Sequence, residues 1–152
     1  MANAQALTTQ FKIDILNGLH AMGVSVVRAA TTKDSFKAAL YLASASRGAA
    51  DTVYNTTGEV TGTNYTAGGV AVTNATVPAA TGTTSFWTPS ASIVYTTVTL
   101  ATAFDAMLLY NSTSATSLAV AVFTFGSQTV TAGNFTLSMP TNDASTGLIR
   151  IA

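Results

Sequence analysis

The side chains able to do acid–base, nucleophilic or metal chemistry are few and widely spaced in this sequence. There is one histidine, His20, and there are six carboxylates, Asp14, Asp34, Asp51, Glu59, Asp105 and Asp143; cysteine is absent. Paired-carboxylate hydrolysis needs two acids converging on one bond. Nucleophilic catalysis needs a nucleophile beside a base, and a zinc site needs a cluster of His, Cys or acid ligands. No Asp-x-Asp-x-Asp calcium loop, Gly-x-Ser-x-Gly elbow or glycine-rich phosphate loop occurs. Gly62–Gly69 is glycine-rich, but its pattern is not followed by the helix that phosphate binding uses. His20 falls near the end of a predicted helix, where packing or the negative helix terminus accounts for it. Asp34 and Asp143 stand where acids start turns or cap elements. The expectation is a protein that is not an enzyme, with no catalytic residue, no metal site and no cofactor.

Two weaker patterns point at sugars. Trp87 with Tyr41, Tyr54, Tyr65, Tyr95 and Tyr110 would suit a carbohydrate-stacking platform. Spread over separate segments, they read more simply as core or interface aromatics. Asn-x-Ser/Thr sequons stand at Asn55, Asn64, Asn74, Asn111 and Asn134, which a chain with 28 threonines produces by chance.

The elements that must carry these residues follow from composition and periodicity. The chain has 152 residues, about one domain at ~100–200 residues per domain. It is 48% hydrophobic and 8% charged with no net charge, where a typical soluble domain is ~25% charged. A neutral chain offers no electrostatic footprint for nucleic acid or an anionic membrane, and the absence of Cys rules out a disulfide framework. Mean hydropathy is +0.40, yet no window reaches the ~18–20 apolar residues of a spanning helix. The amino terminus lacks the basic start and apolar core of a secretory leader. The hydropathy comes from Ala, Val and Thr, which favour strands. Free monomers keep charged surfaces, and interface cores are depleted in Lys, Glu and Asp. The charge scarcity therefore predicts a subunit of a large assembly.

Within Thr9–Met22, Phe11, Ile15, Leu16, Leu19 and Met22 share one helical face, with Thr8 or Thr9 as cap and Gly23 as stop. The alternation of Phe11, Ile13 and Ile15 competes as a strand. Gly23–Lys33 reads as a loop or extended arm. From Asp34 the period changes to two, and strands are predicted at Ser35–Leu42, Val70–Val77, Ser85–Thr88, Ile93–Ala103, Phe104–Tyr110, Leu118–Phe125, Asn134–Met139 and Gly147–Ile151. Short strands at this spacing with no helices between them predict an all-β antiparallel sandwich, jelly-roll or immunoglobulin-like, carrying a short N-terminal helix or arm. The expected division is 1–33 for the helix and arm and 34–152 for the sandwich.

Four segments carry a resemblance. Phe11–His20, Asp34–Tyr41, Gly58–Gly69 and Pro140–Ala152, in this order and spacing, resemble a family of small tailed-bacteriophage virion proteins. The likeness runs over most of the chain and is weakest over Thr83–Val98. It rests on turns and strands, with no catalytic signature. The resemblance implies a capsid cement or decoration protein that bridges major-capsid subunits on the virion surface and is made in the bacterial host cytoplasm. The implied partners are the major capsid protein and further copies of the chain, as a dimer or trimer. A neck or tail component is the alternative, and a secreted carbohydrate-binding module is the reading from a different class. Phe11, Ile15, Leu16 and Leu19 are the expected interface residues, on an amino-terminal segment expected to contact neighbours and not to complete the sandwich core; the alternative is that its helix covers one open end of its own subunit's sandwich. Phe36, Leu40, Leu108, Val120, Val122, Phe123 and Leu137 are the expected core.

Overall fold

A computed structural model describes residues 3–8, 11, 15, 19, 20, 22 and 33–151. The described elements are all strands: β1 (Ala6–Leu7), β2 (Phe36–Leu42), β3 (Val70–Val72), β4 (Ala79–Thr81), β5 (Thr84–Trp87), β6 (Ile93–Asn111), β7 (Ala119–Leu137) and β8 (Ile149–Ile151). They form two antiparallel sheets, a five-stranded one ordered β1-β7-β6-β2-β3 and a three-stranded one ordered β4-β5-β8. The all-β antiparallel reading holds. The helix expected over Thr9–Met22 falls mostly outside the described residues, and no helix stands among the described elements.

The fold is organised by one hairpin. β6 and β7 are each 19 residues long and pair from Ile93↔Leu137 to Tyr110↔Ala119. The sequence predicts four separate strands here, Ile93–Ala103, Phe104–Tyr110, Leu118–Phe125 and Asn134–Met139. In the structure they join into two continuous strands, which carry bulges at register shifts between Tyr95 and Val98, Val98 and Leu100, Leu100 and Phe104, Phe104 and Ala106, and Leu109 and Tyr110. Bulges bend and over-twist a strand pair, and here they fold the hairpin back across itself. Phe125 and Phe135 would lie about 33 Å apart on a straight strand at ~3.3 Å per residue, yet their ring centroids are 5.3 Å apart. Tyr95 likewise donates its hydroxyl hydrogen to Ala38 O at 2.8 Å, while Ala38 pairs with Leu109 of the same β6.

Both faces of the central β2–β6–β7 region are therefore covered. Phe36, Ala38, Leu40, Met107, Leu109 and Val120 face the main core with Phe104, Leu100 and Tyr95. Ala39, Tyr41, Ala106, Leu108, Tyr110 and Val122 form a second cluster on the opposite face. This explains a difference from the period-two reading of β2: Ala39 and Tyr41, expected outward, are buried. Of the expected core, Phe36, Leu40, Leu108, Val120 and Val122 are buried, whereas Phe123 and Leu137 are half-buried. The small sheet closes one side of the main core through Trp87 and Ile149, with the Trp87 ring 5.9 Å from Phe36. Ala79–Thr81, read as loop in the sequence, is its exposed edge strand.

The amino-terminal segment corrects an expectation. Ala6 and Leu7 pair with Val122 and Ala121, so the five-stranded sheet takes its edge strand from the segment assigned to the arm. Thr8 donates N–H to Val120 O and its hydroxyl to Ala119 O, and Phe11 N–H donates back to Thr8 Oγ1. Phe11 is fully buried in the main core, and Ile15 and Met22 pack against it half-buried. Phe11 thus completes its own subunit's core: a ring of this size gains more from a cavity already lined by Phe36 and His20 than from waiting for a neighbour. Leu19 is 45% exposed, and Leu16 lies outside the described residues.

Two substitutions check this account. Phe11→Ala is expected to lower the unfolding free energy by about 3–5 kcal/mol, the usual cost of emptying an aromatic core site, in urea denaturation of the isolated protein. An unchanged midpoint would return Phe11 to the role of an intersubunit contact. Val122→Asp places a carboxylate between two packed faces and is expected to abolish folding, read as loss of soluble protein.

Candidate functional site

The polar residues that the sequence left scattered are brought into two clusters. The larger is centred on Glu59, a buried carboxylate on the connection between β2 and β3. Its Oε1 accepts from Tyr65 OH (2.7 Å) and Gly68 N–H (2.7 Å), and its Oε2 accepts from Tyr54 OH (2.6 Å). Tyr65 OH also accepts from Leu40 N–H, and Tyr110 OH donates to Gly68 O. Tyr54 stacks on Tyr110 at 4.7 Å, and Tyr65 stacks on Tyr95 at 6.0 Å. The chain can turn this tightly because Gly69 has φ +68°, and a Cβ there would collide with Ala38 O.

Burial raises the hydroxyl pKa of Tyr65, Tyr54, Tyr41, Tyr95 and Tyr110 above the ordinary tyrosine value. For Tyr65 and Tyr54 the hydrogen bond to Glu59 adds to it, and for the other three the Glu59 charge does. A phenol held protonated is a donor, which is what a buried carboxylate requires. The cluster is a clamp that fastens the 54–69 connection to β2 and β6. It offers no phenolate nucleophile or base at neutral pH.

The second cluster lies at the far end of β6. Asn111 Nδ2 donates to Asp34 Oδ2 (2.9 Å) and lies 3.1 Å from His20 Nδ1, while Asn111 Oδ1 accepts from Thr113 N–H and Ser114 N–H. Asn74 Nδ2 donates to Asp34 O, and Lys33 Nζ donates to Asn74 O. His20 also packs its ring 4.9 Å from Phe11. These contacts tie the turn after β6, the start of β2 and the amino-terminal segment together. Asp143 accepts from Thr146 and Ser145 in the turn before β8, which lowers its pKa below the ordinary carboxylate value with a smaller contribution from Arg150. Asp143 thus starts a turn, as the sequence predicts, whereas Asp34 stands in the segment just before β2 and holds Asn111 at the end of β6. Among the described residues no three His, Asp or Glu side chains converge on one point.

The aromatic-platform reading loses its tryptophan. Trp87 is 1% exposed with its Nε1–H donated to Thr76 O, so it offers no stacking surface. Asn74 and Asn111 are buried, Asn64 and Asn134 brace the Thr97 bulge, and Asn55 holds the Thr57 N–H. The sequon asparagines are doing turn work.

What remains is surface. Between Glu59 and Asp143 the one charged residue is Asp105, and it is engaged by Asn3 Nδ2. The distal half of β7 and the exposed positions of β6 present Thr, Ser, Gln, Ala and Asn, and Val94 is exposed at 41%. The outer edge of β7 beyond Val122 has no strand partner among the described residues. No family model matches the chain, and no curated protein or solved structure matches it. No helix among the described residues is long and apolar enough to cross a membrane.

The tyrosine clamp predicts a pH dependence. An unfolded tyrosine titrates near 10.0, and the folded values lie higher. The contribution of Tyr41, Tyr65 and Tyr95 is therefore complete below pH 10 and is lost as pH rises toward the folded values. The unfolding free energy should be level from pH 7 to 9 and then fall by up to about 1.4 kcal/mol per pH unit for each buried tyrosine. Tyr65→Phe should flatten that slope in pH-dependent urea denaturation, and an identical slope would show that Tyr65 ionises freely. Glu59→Gln replaces an acceptor with a donor facing other donors. It is expected to cost about 1–3 kcal/mol at neutral pH in the same measurement.

Proposed function

We propose that this chain is a virion structural protein of the capsid cement or decoration class, bridging major-capsid subunits on the head of a tailed bacteriophage. The observation that carries the reading is the charge map: a surface built from Glu59 to Asp143 with Asp105 as its one charge, and that charge tied to Asn3. Such a surface associates without desolvating ions, and it fits the depletion of Lys, Glu and Asp at interface cores. A standard stable interface buries ~1,600 Å², and repetition over a shell makes modest contacts collectively strong. The phage resemblance of the four sequence segments supports the same reading, and the rigid, double-covered β2–β6–β7 framework suits a clamp that must not deform.

The test is the copy number on purified particles, counted by quantitative mass spectrometry. A number on the scale of the shell lattice is expected. A number matching a single ring would move the protein to the neck or tail, and absence from the particle would sink the reading.

A further inference from the structure

The Glu59 cluster holds two phenols in a geometry that its role as a clamp does not require. Tyr54 and Tyr110 stack with ring centroids 4.7 Å apart and planes 15° from parallel. Their hydroxyls lie at the same end of the stack: a Cβ at Gly68 would stand 3.0 Å from the Tyr110 oxygen and 3.9 Å from the Tyr54 oxygen. The ring carbons beside the two hydroxyls therefore share that end. Those carbons hold much of the unpaired electron in a phenoxyl radical, and they are the ones that join when two phenols couple oxidatively. Tyr54 is half-buried and meets solvent, whereas Tyr110 is buried beneath it.

We propose that Tyr54 and Tyr110 are an oxidative cross-linking site, at which a one-electron oxidant from solution joins them as a dityrosine with Glu59 as the proton acceptor. Burial holds both hydroxyls protonated at neutral pH, so an electron leaves Tyr54 only together with its proton. Glu59 Oε2 accepts from Tyr54 at 2.6 Å and from no other donor among the described residues, whereas Oε1 is shared by Tyr65 and Gly68 N–H. Each added hydrogen bond withdraws charge from its acceptor, so Oε2 is the more basic oxygen. Tyr65, the competing phenol, also accepts Leu40 N–H, which makes it harder to oxidise, and its stack on Tyr95 is wider, at 6.0 Å.

In the first step one electron passes to the oxidant and the hydroxyl proton to Glu59, leaving a neutral Tyr54 radical and a protonated carboxyl. A ring carbon of that radical bonds to the matching carbon of Tyr110, and a second equivalent of oxidant takes the second electron. The two joined carbons lose their hydrogens as protons, and Glu59 returns its proton to the Tyr54 oxygen. The sum is two electrons to the oxidant, two protons to water and one new carbon–carbon bond. In a chain without cysteine this bond closes a loop as a disulfide would, fastening the 54–69 connection covalently to β6. The site is independent of the capsid reading.

The test exposes the full chain to photogenerated tris(bipyridine)ruthenium(III), a one-electron oxidant, and follows intact mass and the sequence of peptic fragments. The expected product is a single chain lighter by two hydrogens with residues 54 and 110 joined, absent from both Tyr54→Phe and Tyr110→Phe. Glu59→Gln is expected to slow its formation about a hundredfold, the low end of what a positioned proton acceptor supplies. Because that variant also loses stability, the rate of the unaltered chain is read against phosphate concentration. An internal acceptor leaves the rate flat, whereas an acceptor from solution makes it rise. An unchanged mass, a bond between other tyrosines or only between separate chains, an undiminished rate in Glu59→Gln, or a rate that rises with phosphate overturns the proposal.

Discussion

Everything in this fold depends on the β6–β7 hairpin being able to bend across itself without losing its register. Side chains in a strand alternate with period two, so one uncompensated extra residue would send every later apolar residue to the wrong face. The chain meets this constraint by placing extra residues on both strands in turn. From Tyr95 to Val98 the surplus is on β6, from Val98 to Leu100 it is on β7, from Leu100 to Phe104 on β6 again, and from Phe104 to Ala106 on β7. The first two slips cancel and so do the next two, and a fifth, between Leu109 and Tyr110, leaves one surplus residue on β7 at the end of the ladder. The left-handed backbone at Thr97 (φ 48°) and Ala132 (φ 45°) marks two of these sites. Such conformations are unfavourable for a β-branched residue. They persist at Thr97 because Asn134 Oδ1 accepts its N–H and Asn64 Nδ2 donates to its carbonyl. The result is a cluster in which Phe104, Phe125 and Phe135 meet at 5.0–6.0 Å, partly edge to face, from positions remote along two strands.

The Glu59 clamp is the second consequence of the bend. Folding the hairpin over brings Tyr95 above Ala38, and Tyr65 stacks on Tyr95 from the connection between β2 and β3. A carboxylate taken out of water costs several kcal/mol unless its acceptors are filled. Three donors fill them here, two of them phenols whose own burial keeps them protonated. The arrangement favours one conformation of the connection over others more than it adds net stability, since an apolar replacement of the whole cluster would also pack. Glu59→Gln tests the clamp with its partners still in place, which is why a cost is expected there.

The sequence disclosed the strands better than their joining. Ser35–Leu42 is legible through the alternation of Phe36, Ala38, Leu40 and Leu42, and the continuous apolar run at Leu118–Phe125 announces burial on both faces, which Ala119–Val122 show. The unity of β6 was not legible. A bulge looks like a break to a periodicity argument, and between the pairs Leu100↔Val130 and Phe104↔Gln128 the residues of β6 have no regular partner on β7. β1 was hidden for a similar reason, because two residues carry no period and only the edge of β7 makes them a strand. In the sequence Glu59 is one isolated acid among six, and its signal is Tyr54 and Tyr65 on either side: phenols near a lone carboxylate in an otherwise uncharged stretch supply the donors it needs when buried. The apolar face that Phe11 heads implies a partner, and for Phe11 that partner is the subunit's own core.

The distribution of charge completes the physical picture. Several of the ions in the described chain are spent on architecture: Arg47 pairs with Asp51 and lies over the Tyr41 ring, Asp105 holds Asn3, and Glu59 and Asp34 are buried. The strand surfaces are left to threonine, serine and asparagine, whose hydroxyls and amides bond water but cost little to desolvate compared with an ion. A surface of this kind stays hydrated while free and gives up its water readily when a complementary surface arrives. Edges without Lys or Pro would ordinarily be a liability for indiscriminate strand pairing. The bulges of β6 and β7 interrupt the regular ladder along the longest strand pair, and the outer strands β1, β3, β4 and β8 are all short, so little regular edge is offered to an added strand. On so sparsely charged a surface, specificity must come chiefly from shape.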